Sequence, residues 1–220
     1  MNRESILVSA LIFISSPGIA ITTLILCLNW LVVNLCYSGL SLNSVNLAGN
    51  LFVNFVLSAL VEVPAVVMGM IGMDWLGRVT LLVLSQLVAG GSCILAGFLH
   101  PPYVLPLSLI GKFFNSIAFL ILYLYTAEIY PTRLRGLGLA LTGFTARLGG
   151  FVAPYIAGIG VTSSQTPFLI FGGSALLGGL AGPFLAETRG EKLPETVEDV
   201  EHIVLKRAKT WFKRSETTDL

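Results

Sequence analysis

Three charged side chains lie inside long apolar stretches of this sequence: Glu62, Lys112 and Arg147. A charged residue at the centre of a bilayer costs about 2.5–3.5 kcal/mol on insertion scales, so each is expected to face protein or water. A carboxylate, an ammonium and a guanidinium suit the binding of a small organic ion, since a guanidinium binds carboxylates through two parallel hydrogen bonds. The alternative is a structural ion pair of Glu62 with Lys112 that holds helices in register.

Helical spacing places aromatic side chains beside these charges. Lys112, Phe119 and Tyr123 share one face of a helix, and Trp30 shares a face with Tyr37. Aromatic faces hold alkyl chains and cations. We therefore expect a substrate-binding surface made of seven residues: Arg147, Lys112, Trp30, Tyr37, Phe119, Tyr123 and Glu62.

The elements that carry these residues must lie in lipid. The chain has 220 residues, of which 55% are hydrophobic and 11% charged, with a net charge of +1, and its mean hydropathy is +0.84. A soluble domain cannot cover its surface with the few charges between Ser5 and Ala186. A nucleic-acid-binding protein is also not expected, because this body has no basic patch. Its charged residues are Glu62, Asp74, Arg78, Lys112, Glu128, Arg133, Arg135 and Arg147.

Six apolar stretches are long enough to cross a bilayer, which needs about 20 residues. The sequence predicts an all-α polytopic membrane protein with transmembrane helices at about 19–40, 48–71, 80–99, 103–125, 138–160 and 167–186. Residues 1–18 are interpreted as an N-terminal lead-in segment, with the core of a signal peptide as the alternative. The charged residues 187–220 are interpreted as a cytoplasmic tail.

Basic residues outside the spans lie on one side of the predicted membrane domain. Loops 41–47, 100–102 and 161–166 contain no Lys or Arg, whereas the other loops and both termini contain all the basic residues outside the spans. Because Lys and Arg are enriched on the cytoplasmic side, both termini are expected in the cytoplasm.

Three short motifs follow the second, fourth and sixth predicted spans. They read DWLGR at 74–78, EIYPTRLRGLG at 128–138 and ETRG at 187–190. Taken singly, each is compatible with ordinary loop chemistry: a turn glycine, a helix-stopping proline, and charges that complement helix dipoles.

In this order and spacing, the motifs resemble the C-terminal six-helix half of major facilitator superfamily proteins. The resemblance is closer to solute carrier family 22, the organic cation, anion and carnitine transporters. NW at 29–30, YSGLSLN at 37–43, EVPA at 62–65 and ARLGG at 146–150 are also similar to that family. The resemblance implies two inverted three-helix repeats, a plasma-membrane location, and transport of small organic ions by alternating access.

The resemblance also implies roles for single residues. Anion- and carnitine-type members carry a basic residue at the position of Arg147 and cation-type members an acidic one, which favours an anionic or zwitterionic substrate here. Met70, Val79 and Ala186 depart from the family, which usually has Gly, a basic residue and Pro at these positions. A conformational latch between loops is implied for Asp74, Gly77, Arg78, Glu128, Arg133 and Arg135.

Family members have about twelve spans, whereas this sequence has six. We therefore expect a partial or truncated chain that needs a missing N-terminal half or a homodimer partner. The alternative is a non-transporting membrane fragment that regulates or assembles with full-length relatives. An enzyme, a metal and a cofactor are not expected, because His100, His202 and the three cysteines form no catalytic or metal-binding motif.

Overall fold

The computed structural model describes residues 17–44, 50–99, 103–132, 134–163, 165–190, 194, 196 and 198–200. Most of the predicted lead-in segment 1–18 and most of the tail 187–220 therefore lie outside the described residues.

The described chain consists of helices, and six of its helical segments are long and apolar enough to cross a membrane, which confirms the predicted fold class. The second segment, Leu51–Leu76, is divided between two helices, and a short 3₁₀ turn extends the last one. In chain order the helices are α1 Pro17–Asn43, α2 Leu51–Leu60, α3 Glu62–Leu76, α4 Arg78–Phe98, α5 Val104–Ile129, α6 Arg135–Ile159 and α7 Thr166–Ala181, followed by the turn Gly182–Phe184.

The division between α2 and α3 has a local cause. Pro64 has no backbone N–H, so one hydrogen bond of the continuous helix is missing at this point. Val61 keeps helical dihedral angles of −63° and −25°, and the amide of Ala65 donates to its carbonyl at 3.4 Å. The second span is therefore one helical segment that is weakened near Pro64 by a missing backbone hydrogen bond, and Glu62 lies at this point.

Helix α1 lies at the centre of the bundle, where it packs against α5, α6 and α7. Its most extensive packing is against α6, where the Asn34 side-chain amide donates to the Ala146 carbonyl at 2.5 Å. Gly149 makes this approach possible, because a Cβ there would overlap the carbonyl oxygen of Leu31. Small residues commonly allow such close packing of membrane helices.

The second span and α6 have the largest exposed fractions of the spans. Both present large apolar side chains outward, which is the surface that lipid or another apolar partner requires. The most exposed of these side chains are Phe52, Val63, Trp75, Phe144, Phe151 and Tyr155.

We predict that Gly149→Ala separates α1 from α6 and lowers the free energy of unfolding by about 1–3 kcal/mol, as overpacked cores do. The measurement is thermal unfolding of the purified chain in detergent. The matched control is Gly158→Ala on the same helix, where a Cβ meets no atom within 4 Å. The packing explanation is wrong if the two alanine variants unfold at the same temperature.

Candidate functional site

Lys112 is the most deeply buried charge inside the spans, with 2% of its side chain exposed. Its Nζ lies 3.0 Å from Glu62 Oε1 and 3.6 Å from the centroid of the Tyr37 ring. It also donates to the Tyr37 carbonyl at 3.4 Å and to Ser41 Oγ. The ammonium is therefore held by a carboxylate, an aromatic face and two neutral oxygens.

Glu62 is held from a second direction by the same tyrosine. Tyr37 Oη donates to both carboxylate oxygens of Glu62, at 2.9 and 2.8 Å. The Glu62 side chain is 32% exposed, so the ion pair is covered on the Lys112 side and open on the Glu62 side. The predicted pairing of Glu62 with Lys112 is thus present, in a form that leaves the carboxylate accessible.

Aromatic rings extend this arrangement along α1 and α5. The Tyr37 ring stacks on Phe119 with centroids 5.1 Å apart, and Phe119 meets Trp30 edge-on at 5.7 Å. Tyr123 contacts both Trp30, at 4.6 Å, and Phe119, at 5.2 Å. We call these six residues the Lys112 cluster: Trp30, Tyr37, Glu62, Lys112, Phe119 and Tyr123.

One end of the cluster is buried, and the other end is an open rim of exposed side chains. Trp30 is 2% exposed, and its indole N–H donates to Thr126 Oγ1 at 2.9 Å. Tyr123, at the other end, is 53% exposed. Such a surface can hold an apolar body on its rings and a cation on Glu62.

Arg147 is the one predicted binding residue that the structure does not bring into the Lys112 cluster. It is exposed on α6, and it forms no salt bridge with any residue in the described ranges. Its neighbours Ala146 and Gly149 face α1 instead. On a helix this packing turns Arg147 away from α1, to a face that the described residues leave uncovered.

A second group of polar residues joins the ends of several spans. The carboxylate of Glu187 accepts hydrogen bonds from the backbone N–H groups of Arg78, at 2.8 Å, and Val79, at 3.1 Å. These N–H groups begin α4, where the helix leaves its first amides unpaired and its dipole favours an anion. Gly77 makes the preceding turn with a φ of +89°, and a Cβ there would come within 2.8 Å of Glu187 Oε2.

The side chain of Arg78 continues this network. Its Nη2 lies 3.3 Å from Glu128 Oε1, and Thr188 Oγ1 donates to Glu128 Oε2 at 2.8 Å. Arg189 Nη1 donates to the Trp75 carbonyl at 2.7 Å. The segment after the sixth span is thereby tied to the ends of the second, third and fourth. We call Arg78, Glu128, Glu187, Thr188 and Arg189 the Arg78 cluster.

Only part of the predicted latch lies in this cluster. Gly77, Arg78 and Glu128 are brought together, whereas Asp74 is exposed and Arg135 is half-buried. Neither Asp74 nor Arg135 forms a salt bridge with another residue that the structure describes, and Arg133 lies outside the described residues. The sequence prediction missed Glu187, Thr188 and Arg189, although the ETRG motif contains all three.

Tyr130 fixes the end of α5 against α1. Its hydroxyl lies 2.9 Å from Thr23 Oγ1, within hydrogen-bonding distance, and a Cβ at Gly138 would overlap its ring. Burial raises the pKa of Tyr130 to about 12. The phenol therefore stays protonated near neutral pH, and this contact does not titrate there.

We predict that Glu187→Ala lowers the free energy of unfolding by about 1–2 kcal/mol, because it removes a helix cap and leaves two amides without their acceptor. Thermal unfolding in detergent measures the loss. Asp74→Asn is the contrasting variant, because Asp74 lies in the last turn of α3, where the helix dipole disfavours a carboxylate. It should leave the stability unchanged or raise it, and an equal loss in both variants would contradict the capping role.

Comparisons with known proteins agree with this architecture. The sequence profile of the Major Facilitator Superfamily matches residues 6–215. The chain is similar to human organic cation/carnitine transporter 2, with 36% identity over 187 residues that cover 83% of this chain and 33% of that protein. It is similar to the mouse solute carrier family 22 member 21, with 34% identity covering 86% of this chain and 34% of that protein.

An insect relative extends the comparison. The Drosophila melanogaster beta-alanine transporter is 36% identical over 189 residues, which cover 86% of this chain and 31% of that protein. The chain thus spans about a third of the length of these curated relatives. The expected family is confirmed: this chain belongs to the Major Facilitator Superfamily, and the relatives it matches there are members of solute carrier family 22.

Proposed function

We propose that this chain takes part in the transport of small organic ions across a membrane by alternating access. The observation that supports this function most strongly is the Lys112 cluster, which places an accessible carboxylate and a row of aromatic faces inside apolar spans. Polar groups at this depth are costly in lipid and usually line a substrate pathway. Two of the relatives are an organic cation/carnitine transporter and a beta-alanine transporter.

A zwitterionic substrate fits the charges better than a simple cation does. Glu62 and Lys112 neutralise each other, so Arg147 remains as an additional positive charge within the described spans. A ligand with one ammonium and one carboxylate matches this set of groups: the rings and Glu62 suit the ammonium, and a guanidinium suits a carboxylate, although Arg147 lies outside the Lys112 cluster. A free anion would match Arg147 alone and leave the aromatic faces unused.

The chain is proposed to supply one wall of the transport cavity. Transporters of this kind bind substrate between two six-helix halves that rock about the site. The open rim at Glu62 and Tyr123 would face the second wall. A missing N-terminal half or a second copy of the chain could supply it, with both termini in the cytoplasm of a plasma-membrane protein.

We predict little uptake from this chain expressed alone. Cells expressing it fused behind the preceding spans of organic cation/carnitine transporter 2 should take up labelled γ-butyrobetaine, a trimethylammonium carboxylate. The preceding spans expressed alone are the control. Robust uptake by the lone chain as a monomer would overturn the proposed need for a second wall. Failure of the fusion, with a fall in the uptake of a co-expressed full-length relative, would favour a regulatory fragment.

In the same fusion, Arg147→Asp should reverse the charge preference. Uptake of γ-butyrobetaine should fall about tenfold or more relative to its methyl ester, which keeps the ammonium and lacks the carboxylate; tenfold corresponds to about 1.4 kcal/mol. Arg147→Lys retains the positive charge and should keep the direction of the preference. If the ratio of γ-butyrobetaine uptake to ester uptake is unchanged in Arg147→Asp, Arg147 does not bind the ligand carboxylate.

A further inference from the structure

We propose that Lys112 acts as a built-in occupant of the cation site and so sets the charge of the ligand that can enter. Its ammonium would occupy the position that a ligand ammonium needs, and the ligand binds by displacing it. The proposal rests on the proposed function, because it assumes that the Lys112 cluster binds an organic ammonium. It adds a specificity-determining role to a residue that otherwise reads as a structural ion-pair partner.

The surroundings of the Lys112 ammonium are those of a bound organic cation. It lies over an aromatic face at 3.6 Å and beside a carboxylate oxygen at 3.0 Å. A ring face and a carboxylate are the two groups that attract a ligand ammonium most strongly. No other salt bridge joins membrane-embedded residues in the described part of the chain, since the second one joins Arg78 and Glu128 at the helix ends.

The geometry allows the lysine to be displaced. The Glu62 side chain is 32% exposed whereas Lys112 is buried, so a ligand can reach the carboxylate while the lysine stem stays covered. After losing Glu62, the ammonium still has Ser41 Oγ and the Tyr37 carbonyl as acceptors. A four-carbon stem gives it freedom to shift between these partners.

Charge counting then determines which ligands bind well. A ligand that is only a cation leaves two ammonium groups facing the single carboxylate of Glu62, and one of them stays uncompensated in a largely apolar site. A zwitterion brings its own carboxylate, so the total charge of the site is unchanged. Lys112 therefore disfavours simple cations while it leaves zwitterions able to bind.

Removing the lysine should leave the fold intact. Glu62 keeps both hydrogen bonds from Tyr37 and its exposed side, so the carboxylate is neither buried nor unsatisfied. Removing Glu62 instead would strand a buried ammonium, which is far more costly. Lys112→Met and Lys112→Gln are therefore suitable variants, and Gln can also keep a hydrogen bond to Ser41.

The test is equilibrium binding to the purified full chain in nanodiscs, with labelled γ-butyrobetaine and its methyl ester as probes. In Lys112→Met and Lys112→Gln the affinity for the ester should rise about tenfold or more, which corresponds to about 1.4 kcal/mol. The affinity for γ-butyrobetaine should not rise. The matched control is Ser108→Ala, one turn earlier on α5, where a hydroxyl bonded only to the Leu105 carbonyl is removed. Size-exclusion chromatography and thermal unfolding confirm that each variant is folded.

The outcomes separate this inference from the proposed function. If the unsubstituted chain binds γ-butyrobetaine but the lysine variants bind the ester no better, the inference is overturned and the proposed function stands. If the unsubstituted chain binds neither probe and the lysine variants bind the ester, the inference holds and the zwitterion preference fails. If folded lysine variants bind neither probe, the cation site does not exist and the inference is overturned. An equal gain in Ser108→Ala would also overturn it, because the effect would then not depend on charge.

Discussion

A charge inside an apolar helix bundle must be compensated by protein or by water, and this constraint organises the membrane domain. Lys112 satisfies it completely with protein, through Glu62, Tyr37 and Ser41. Glu62 satisfies it only in part, since about a third of its side chain stays exposed. The second span, which carries Glu62, packs mainly against α5, which carries Lys112. The ion pair therefore joins the least buried span to the core at a point where Pro64 has already weakened the helix.

Helix α5 connects the two polar clusters. Its first half carries Lys112, its second half carries Phe119 and Tyr123, and its end carries Glu128 of the Arg78 cluster. The Arg78 cluster in turn holds the chain that follows the sixth span, through the cap that Glu187 places on α4. A tilt of α5 would therefore disturb both groups at once. In the proposed transport cycle, such a helix would move both clusters together when one half rocks against the other.

Much of this structure could be predicted from residue types and spacing. Apolar length gives six spans, and a period of 3.6 residues puts Phe119 and Tyr123 on the face of Lys112. Spacing within one helix does not show which neighbouring helix lies opposite. The three contacts of Tyr37, with Lys112, Glu62 and Phe119, therefore cannot be predicted from the sequence. The sequence also does not show that Arg147 is turned away from α1, because this orientation depends on Gly149 packing against the Leu31 carbonyl. Glu187 was missed as a latch residue because its partners are backbone amides, which leave no trace in a sequence.

The central claim is that the open side of the Lys112 cluster faces water rather than lipid. It is tested most directly by thiol labelling of Tyr123→Cys, at the open rim, and Val63→Cys in membranes, after the three native cysteines are replaced. A water-soluble sulfonate-bearing methanethiosulfonate reacts with the thiolate, which forms only where water reaches the thiol. Val63 is the more exposed residue, at 66% against 53% for Tyr123, yet Tyr123→Cys should be labelled about tenfold faster or more if only the open side of the cluster is hydrated. Equal labelling, or faster labelling of Val63→Cys, would contradict the claim.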